Sequence, residues 1–174
     1  MANYHNLLSK CDRALAAYLL SKGAGTSDDV LPAKNSAERP LPATVCFSSK
    51  GAEAAPYSGT YLIESSIMVR TGGAVELNAG ASDARRASEE RVAKTFDAFH
   101  TNLDSSGDKL ADDITAAARA LAIANPTDHG DLADFTVQNV MIKGVDAGFE
   151  DGTVVWIDTL DLQLVACPSD VSDA

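Results

Sequence analysis

The chain has 174 residues, 45% of them hydrophobic and 22% charged, which is typical of one globular domain and excludes a disordered or fibrous chain. Its 14 basic and 25 acidic residues give a net charge of −11, a field that repels phosphate backbones and disfavours sequence-specific nucleic-acid binding. No stretch approaches the roughly 20 apolar residues of a membrane span. The three widely spaced cysteines favour free thiols over a disulfide framework. We therefore expect a single cytosolic domain over residues 1–174.

The first element is an amphipathic helix. Apolar residues recur at helical spacing from about Tyr4 to Lys22, and Gly23 is well placed to end the helix. The composition of residues 23–42 then changes to Gly, Ser, Asp and Pro, and prolines disfavour both a helix and a central strand. We expect a long loop or arm over 23–42, with Pro32, Pro40 and Pro42 in it.

Two strands are predicted after the arm. Residues 44–48 form a short strand candidate, which a turn of small residues from Lys50 to Pro56 follows. From Tyr57 to Arg70 the apolar residues fall mainly on odd positions and the polar ones on even positions. This period of two predicts a strand with one buried and one solvated face.

Two helices are predicted in the middle of the chain. After a loop at 71–81, Ser82 is placed to cap the first helix, and Asp108 is placed to cap the second, which ends before Pro126. Each carries an apolar stripe at helical spacing. We expect the two helices to pack against each other as a hairpin.

The last third of the chain is predicted to be β structure. The apolar phase shifts within residues 135–143, which indicates a β-bulge, and a turn is expected around Gly148 and the Asp-Gly pair at 151–152. Residues 154–167 alternate again, with apolar residues on even positions. Asp158 interrupts that apolar face, so we expect a bend that divides this run into two shorter strands.

The order of these elements predicts the fold class. A helix, two strands, two helices and two or three strands lack the regular alternation of a doubly wound parallel sheet. We predict an α+β fold: a mostly antiparallel sheet with an N-terminal helix and a central helical hairpin packed against it, and a polar tail at 169–174. The two longest strand runs far exceed the typical length of about 5–6 residues, and such strands often pair with a neighbouring subunit.

The best candidate for a metal site is the loop that contains Asp128, His129 and Asp131. Its spacing matches no recurrent metal site, and a loop that precedes a strand carries such residues for turns and solvation. The sequence contains no nucleophile elbow, calcium loop or phosphate-binding glycine motif. We predict no catalytic, metal or cofactor residues. The alternative from a different functional class is a small metal-dependent hydrolase that uses Asp128, His129 and Asp131.

Two segments of the strands carry a family resemblance. The run YSGTY at 57–61 continues into IMVR at 67–70, and GTVVW at 152–156 leads to LDLQLV at 160–165. With the N-terminal helix and the proline-containing segment before them, the chain resembles the tail-terminator and tail-completion subunits of long-tailed bacteriophages. The resemblance implies a virion structural protein, made in the host cytoplasm. Its subunits form a ring, typically hexameric, that stops tail-tube growth and joins tail to head.

The resemblance also implies partners. These are further copies of the chain, the tail tube and the neck proteins, while DNA passes through a lumen without being read, and no membrane or cofactor is involved. Another neck, collar or tail component is the alternative within the same class. The candidate interface residues lie in the arm, at the start of the long strand and near the late turn; they are Pro32, Pro40, Pro42, Tyr57, Tyr61 and Phe149.

Overall fold

The structure is a computed structural model that describes residues 4–26, 30–32, 43–56, 58–72, 80–100, 108–150 and 155–167. The helices are α1 (Tyr4–Ser21), α2 (Gly80–His100), α3 (Asp108–Ala124) and the short α4 (Pro126–His129), which a 3₁₀ turn at Gly130–Leu132 follows. The strands are β1 (Val30–Pro32), β2 (Ala43–Glu53), β3 (Tyr61–Gly72), β4 (Thr136–Glu150) and β5 (Val155–Cys167).

The strands form one sheet in the order β1-β2-β3-β5-β4. The pairs β2–β3, β3–β5 and β4–β5 are antiparallel, and β1 alone runs parallel to its neighbour β2. The predicted α+β class with a mostly antiparallel sheet is confirmed. The two halves of the chain interlock in this sheet, because β5 from the C-terminal hairpin lies directly beside β3.

The helices pack on one side of the sheet, which we call the covered face. Ile63 lies opposite Leu164, and Ile67 lies opposite Leu160; all four are fully buried. α1 contacts β1 and β2, α2 contacts β3 and β5, and α3 contacts β4. One hydrophobic cluster joins the covered face to all three long helices. The period of two predicted for β3 is therefore confirmed.

α1 packs against β1 and β2 on one side and against α3 on another, and so it buries more than one stripe of side chains. It ends as the sequence predicts: Gly23 has a φ of 71°, in the left-handed region that favours glycine. The Gly23 N–H donates to the Leu20 carbonyl at 3.1 Å and the Ala24 N–H to the Leu19 carbonyl at 3.0 Å, which is the Schellman arrangement. The largest side chains that α1 buries are Leu7, Leu15, Tyr18 and Leu19.

α2 and α3 differ in their packing from the prediction. α3 begins at Asp108 as expected, whereas α2 begins at Gly80, two residues before the predicted cap Ser82. α3 packs mainly against α1 and β4, and α2 packs against β3 and β5. The hairpin of these two helices is therefore not confirmed by the described residues. Tyr18 of α1 reaches α2 instead: its ring centre is 5.3 Å from that of Phe99, and its hydroxyl donates to the Ala98 carbonyl.

The segment predicted as an arm contains a strand. Val30 pairs with Thr44 and Pro32 pairs with Cys46, so β1 covers the outer edge of β2. Pro32 is tolerated because an edge strand needs no N–H on its outer side. β2 is also longer than predicted: its register shifts between Ser48 and Lys50 and it then continues to Glu53, so the turn expected from Lys50 begins later.

β4 contains the predicted bulge. Its register against β5 shifts between Val137 and Asn139, and again between Ile142 and Gly144. At the first shift, Thr115 of α3 bonds to the Val137 backbone, accepting from the N–H at 2.9 Å and donating to the carbonyl at 3.2 Å. The turn predicted around Gly148 is wrong at that residue, since β4 continues to Glu150.

β5 is one unbroken strand, so the predicted division at Asp158 is wrong. Its pairing with β3 runs without a shift from Val155 to Ala166. Asp158 lies on the covered face and is 8% exposed. That end of the face is polar, because Thr44 and Thr71 are also buried there and the Arg91 guanidinium of α2 donates to the Thr44 hydroxyl at 3.0 Å. A polar environment accommodates the carboxyl group without a break in the strand.

Candidate interaction surface

The side of the sheet opposite the helices, which we call the open face, exposes large apolar side chains. Phe47 lies opposite Ser66, Leu62 opposite Val165, and Met141 opposite Gln163. These three apolar side chains are 42%, 37% and 50% exposed, respectively. None of the helices in the described ranges packs against this side of the sheet, and none is long and apolar enough to cross a membrane. The open face is therefore not covered by a helix in the described ranges.

The open face is exposed only over part of its length. Ala43 and Val45 also point to this side, and they are 2% and 3% exposed. Exposure begins at Phe47 and continues toward the end of the sheet that holds Glu53. Its middle is polar and ordered, because the Ser66 hydroxyl donates to Asp161 Oδ1 at 2.7 Å across β3 and β5. The surface thus combines separate apolar side chains with a fixed polar centre, which is the composition of many subunit contacts.

β4 forms one edge of the sheet, and no strand among the described residues pairs with its outer side. Its two register shifts leave Gln138 and Lys143 as extra residues along this edge. Bulges and charged side chains on an edge strand disfavour unspecific pairing with other chains. The open face is accordingly a more regular surface for a partner than the bulged β4 edge is.

The interface residues predicted from the sequence do not meet at one place. Pro32 is half-buried in β1, and Tyr61 is half-buried and packs against the core on the covered side. Phe149 lies in β4 opposite Trp156, and Pro40, Pro42 and Tyr57 lie outside the described residues. The open-face residues were not predicted. For Leu62, the signal in the sequence was an apolar residue at an even position of β3, where most even positions are polar.

The polar cluster proposed as a metal site is held by protein partners. Arg13 of α1 forms two hydrogen bonds with Asp131, at 2.8 Å from Nη1 to Oδ1 and 2.6 Å from Nη2 to Oδ2. The same Nη1 lies 3.3 Å from His129 Nδ1. Asp128 interacts with Asn125, whose side chain caps α4. No group of three or more metal-ligating side chains occurs in the part of the chain that the structure describes.

Electrostatics connect this cluster to α1. The hydrogen bonds from Arg13 hold the pKa of Asp131 below its usual range. Burial lowers the pKa of Lys10, one helical turn before Arg13, and this effect is opposed by the nearby carboxylates of Asp131 and Asp134. The cluster therefore fastens α1 to the segment between α3 and β4. Sequence reasoning missed Arg13, because it lies 118 residues from its partner Asp131.

The fold and this surface define the class of the molecule: an α+β sandwich of one helical layer on one mostly antiparallel sheet, with the other face of the sheet exposed. Comparison of the sequence with models of known protein families and with curated proteins finds no match.

Proposed function

We propose that the chain is a virion structural protein, a tail-terminator-like ring subunit that caps the tail tube and joins the tail to the head or neck. The observation that carries the proposal is the open face, where Phe47, Leu62 and Met141 are exposed. Because the long helices of the described ranges pack on the opposite side, none of them covers these side chains, and a second molecule could bury them. Removing their apolar area from water favours association.

The long hairpin of β4 and β5 supports the same proposal. The two strands have 15 and 13 residues, more than twice the typical length of about 5–6 residues. Val145 lies opposite the buried Leu160, yet it is 54% exposed. At this position the edge strand β4 is exposed although its neighbour β5 is buried, so β4 can contact a neighbouring subunit or the tube here.

The charge of the chain suits a ring around DNA. A net charge of −11 per subunit repels the phosphate backbone, so DNA would pass through a lumen without being held. The proposed partners are copies of this chain in a ring, typically hexameric, together with tail-tube and neck proteins. Another neck, collar or tail component is the alternative within the same class.

The first test is the molar mass in solution, measured by light scattering after size exclusion over a range of protein and salt concentrations. A ring-sized mass supports the proposal. If the chain is monomeric, electron microscopy with tubes assembled from the tail-tube protein of the same genome provides the second readout. Density on the tube ends supports a terminator, whereas a monomer that leaves the tubes bare contradicts the proposal.

Matched variants test whether the open face is the contact. Phe47→Asp and Met141→Asp place a charge on the open face, and Ile123→Asp places one on α3, where Ile123 is 82% exposed. We expect the first two variants to lose at least tenfold in association, because a carboxylate would be desolvated in the contact. Ile123→Asp should assemble as the wild type does. Equal assembly by all three folded variants would exclude the open face as the interface.

A further inference from the structure

A buried carboxyl group connects α1 to the sheet. Asp12 lies on the side of α1 that faces β2 and is only 7% exposed. Ser48 of β2 lies close to the carboxyl group, and its backbone and hydroxyl groups favour the charged form and so lower the pKa of Asp12. The Oδ1 atom of Asp12 is buried and has no hydrogen-bond partner among the residues that the structure describes. A buried polar atom of this kind is costly when the group is charged, because nothing replaces the lost water.

The partner of Asp12 lies where β2 changes register. The shift occurs directly after Ser48, and an interrupted ladder leaves backbone groups for other partners. The Ser48 hydroxyl is 2.8 Å from the Ser65 hydroxyl of β3, and both serines are buried on the covered face. Ser48 can accept from Ser65 and turn its own hydroxyl proton toward the neighbouring Asp12 carboxyl group.

The surroundings of Asp12 provide little compensation for a negative charge. Cys11 of α1 and Cys46 of β2 are fully buried, and burial together with Asp12 raises the pKa of each thiol. Arg13 lowers the pKa of Asp12 slightly, but its guanidinium is bonded to Asp131 of the 3₁₀ turn. Burial dominates over the effect of Ser48 and raises the pKa of Asp12 to about 7.

We propose that Asp12 is a protonation-sensitive lock between α1 and the sheet, which holds α1 firmly when the carboxyl group is neutral and loosens it on ionisation. The inference concerns this contact alone and does not depend on what the chain assembles with. For an acid whose pKa is raised on folding, the folded state binds more protons than the unfolded state between roughly pH 4 and 7. Attachment of α1 should therefore be strongest below about pH 4 and should weaken as the pH rises through about 7.

Two measurements on the wild-type protein test the lock. A carbon-detected NMR titration of the Asp12 carboxyl group should give a midpoint far above the ordinary value of about 3.9. Hydrogen exchange of the α1 amides, corrected for intrinsic pH dependence, should show protection about tenfold or more lower at pH 8 than at pH 5.5. A midpoint near 4, or protection in α1 that does not change with pH, would overturn the proposal.

Variants assign the effect to this residue. Asp12→Asn mimics the neutral acid, so protection in α1 should become independent of pH between 5.5 and 8. Asp112→Asn removes an exposed carboxyl group from α3 and should keep the wild-type pH dependence. Persistence of the wild-type dependence in Asp12→Asn would refute the lock. If that variant does not fold, the wild-type titration and Ser48→Ala, which should raise the midpoint further, decide the question.

Discussion

The two faces of the sheet contain the same kinds of apolar residue in very different environments. Leu160 of β5 and Leu62 of β3 lie on adjacent strands, but Leu160 is fully buried under the helices and Leu62 is 37% exposed on the open face. A strand directs its side chains alternately to either side, and the helices cover one side only. The covered face therefore supplies most of the buried apolar core, whereas the open face leaves large apolar side chains in contact with water.

The largest expected effect is on the covered face. Leu160→Ala should lower the free energy of unfolding by about 3 kcal/mol, because it leaves a cavity where the helices meet the sheet. Urea unfolding monitored by circular dichroism measures the change. A loss below about 1 kcal/mol would mean that the surrounding core relaxes to fill the cavity. The two faces would then differ less in their contribution to the free energy of unfolding.

An intermediate effect is expected at the helical layer. Arg13→Gln removes both hydrogen bonds to Asp131. It should lower the free energy of unfolding by about 1 kcal/mol, because the ion pair contains two hydrogen bonds but remains partly exposed. Lys22→Gln, the matched control, removes one exposed ion pair with Asp113 at 3.4 Å and an ammonium group 5.7 Å from the centre of the Tyr18 ring. It should cost less than about 0.5 kcal/mol. Equal losses in urea unfolding would contradict the role given to Arg13.

The pH dependence of the effect of Arg13→Gln on stability follows from the direction in which the pKa of Asp131 is shifted. Since the pKa of Asp131 is lowered in the folded state, its contribution is fully present above the unfolded value of about 3.9 and is lost as the pH falls through the lowered value. The stability difference between wild type and Arg13→Gln should therefore shrink below about pH 4. Unfolding curves at pH 3 and pH 6 check this expectation.

The smallest effect on the isolated subunit is expected on the open face. Leu62→Ala should change the free energy of unfolding by less than about 1 kcal/mol, since its side chain is already partly in water. The same change should reduce assembly, which light scattering measures at a fixed protein concentration. A large loss of subunit stability with unchanged assembly would reverse the roles that we assign to the two faces.

Much of the fold follows from short stretches of sequence. The period of two in β3, with Ile63 buried and Glu64 exposed, and the helical stripe of α1 with its stop at Gly23 are confirmed by the structure. The bulge in β4 is also visible in the sequence as a shift of the apolar phase. These features depend on backbone geometry and on which side of one element is apolar, and both are encoded within a few residues.

The candidate surface was harder to predict. Neither Phe47 nor Met141 is distinguished by its neighbours in sequence, because an apolar residue in a strand is exposed or buried according to what packs on that side. The environment of the polar loop near Asp131 also depended on a residue distant in sequence. Its carboxylate looked available for a metal until the structure placed Arg13 beside it.

The sequence by itself determined the types of the long helices and strands, the α+β class and the lack of a recognisable catalytic motif in the sequence. Only the tertiary structure decided that β1 pairs with β2, that α1 packs against both β2 and α3, and that Asp12 lies near Ser48. The physical reason is that helices and strands arise from interactions between near neighbours. Pairing, burial and shifted pKa values arise where residues distant in sequence meet, and these contacts depend on how all the elements pack together.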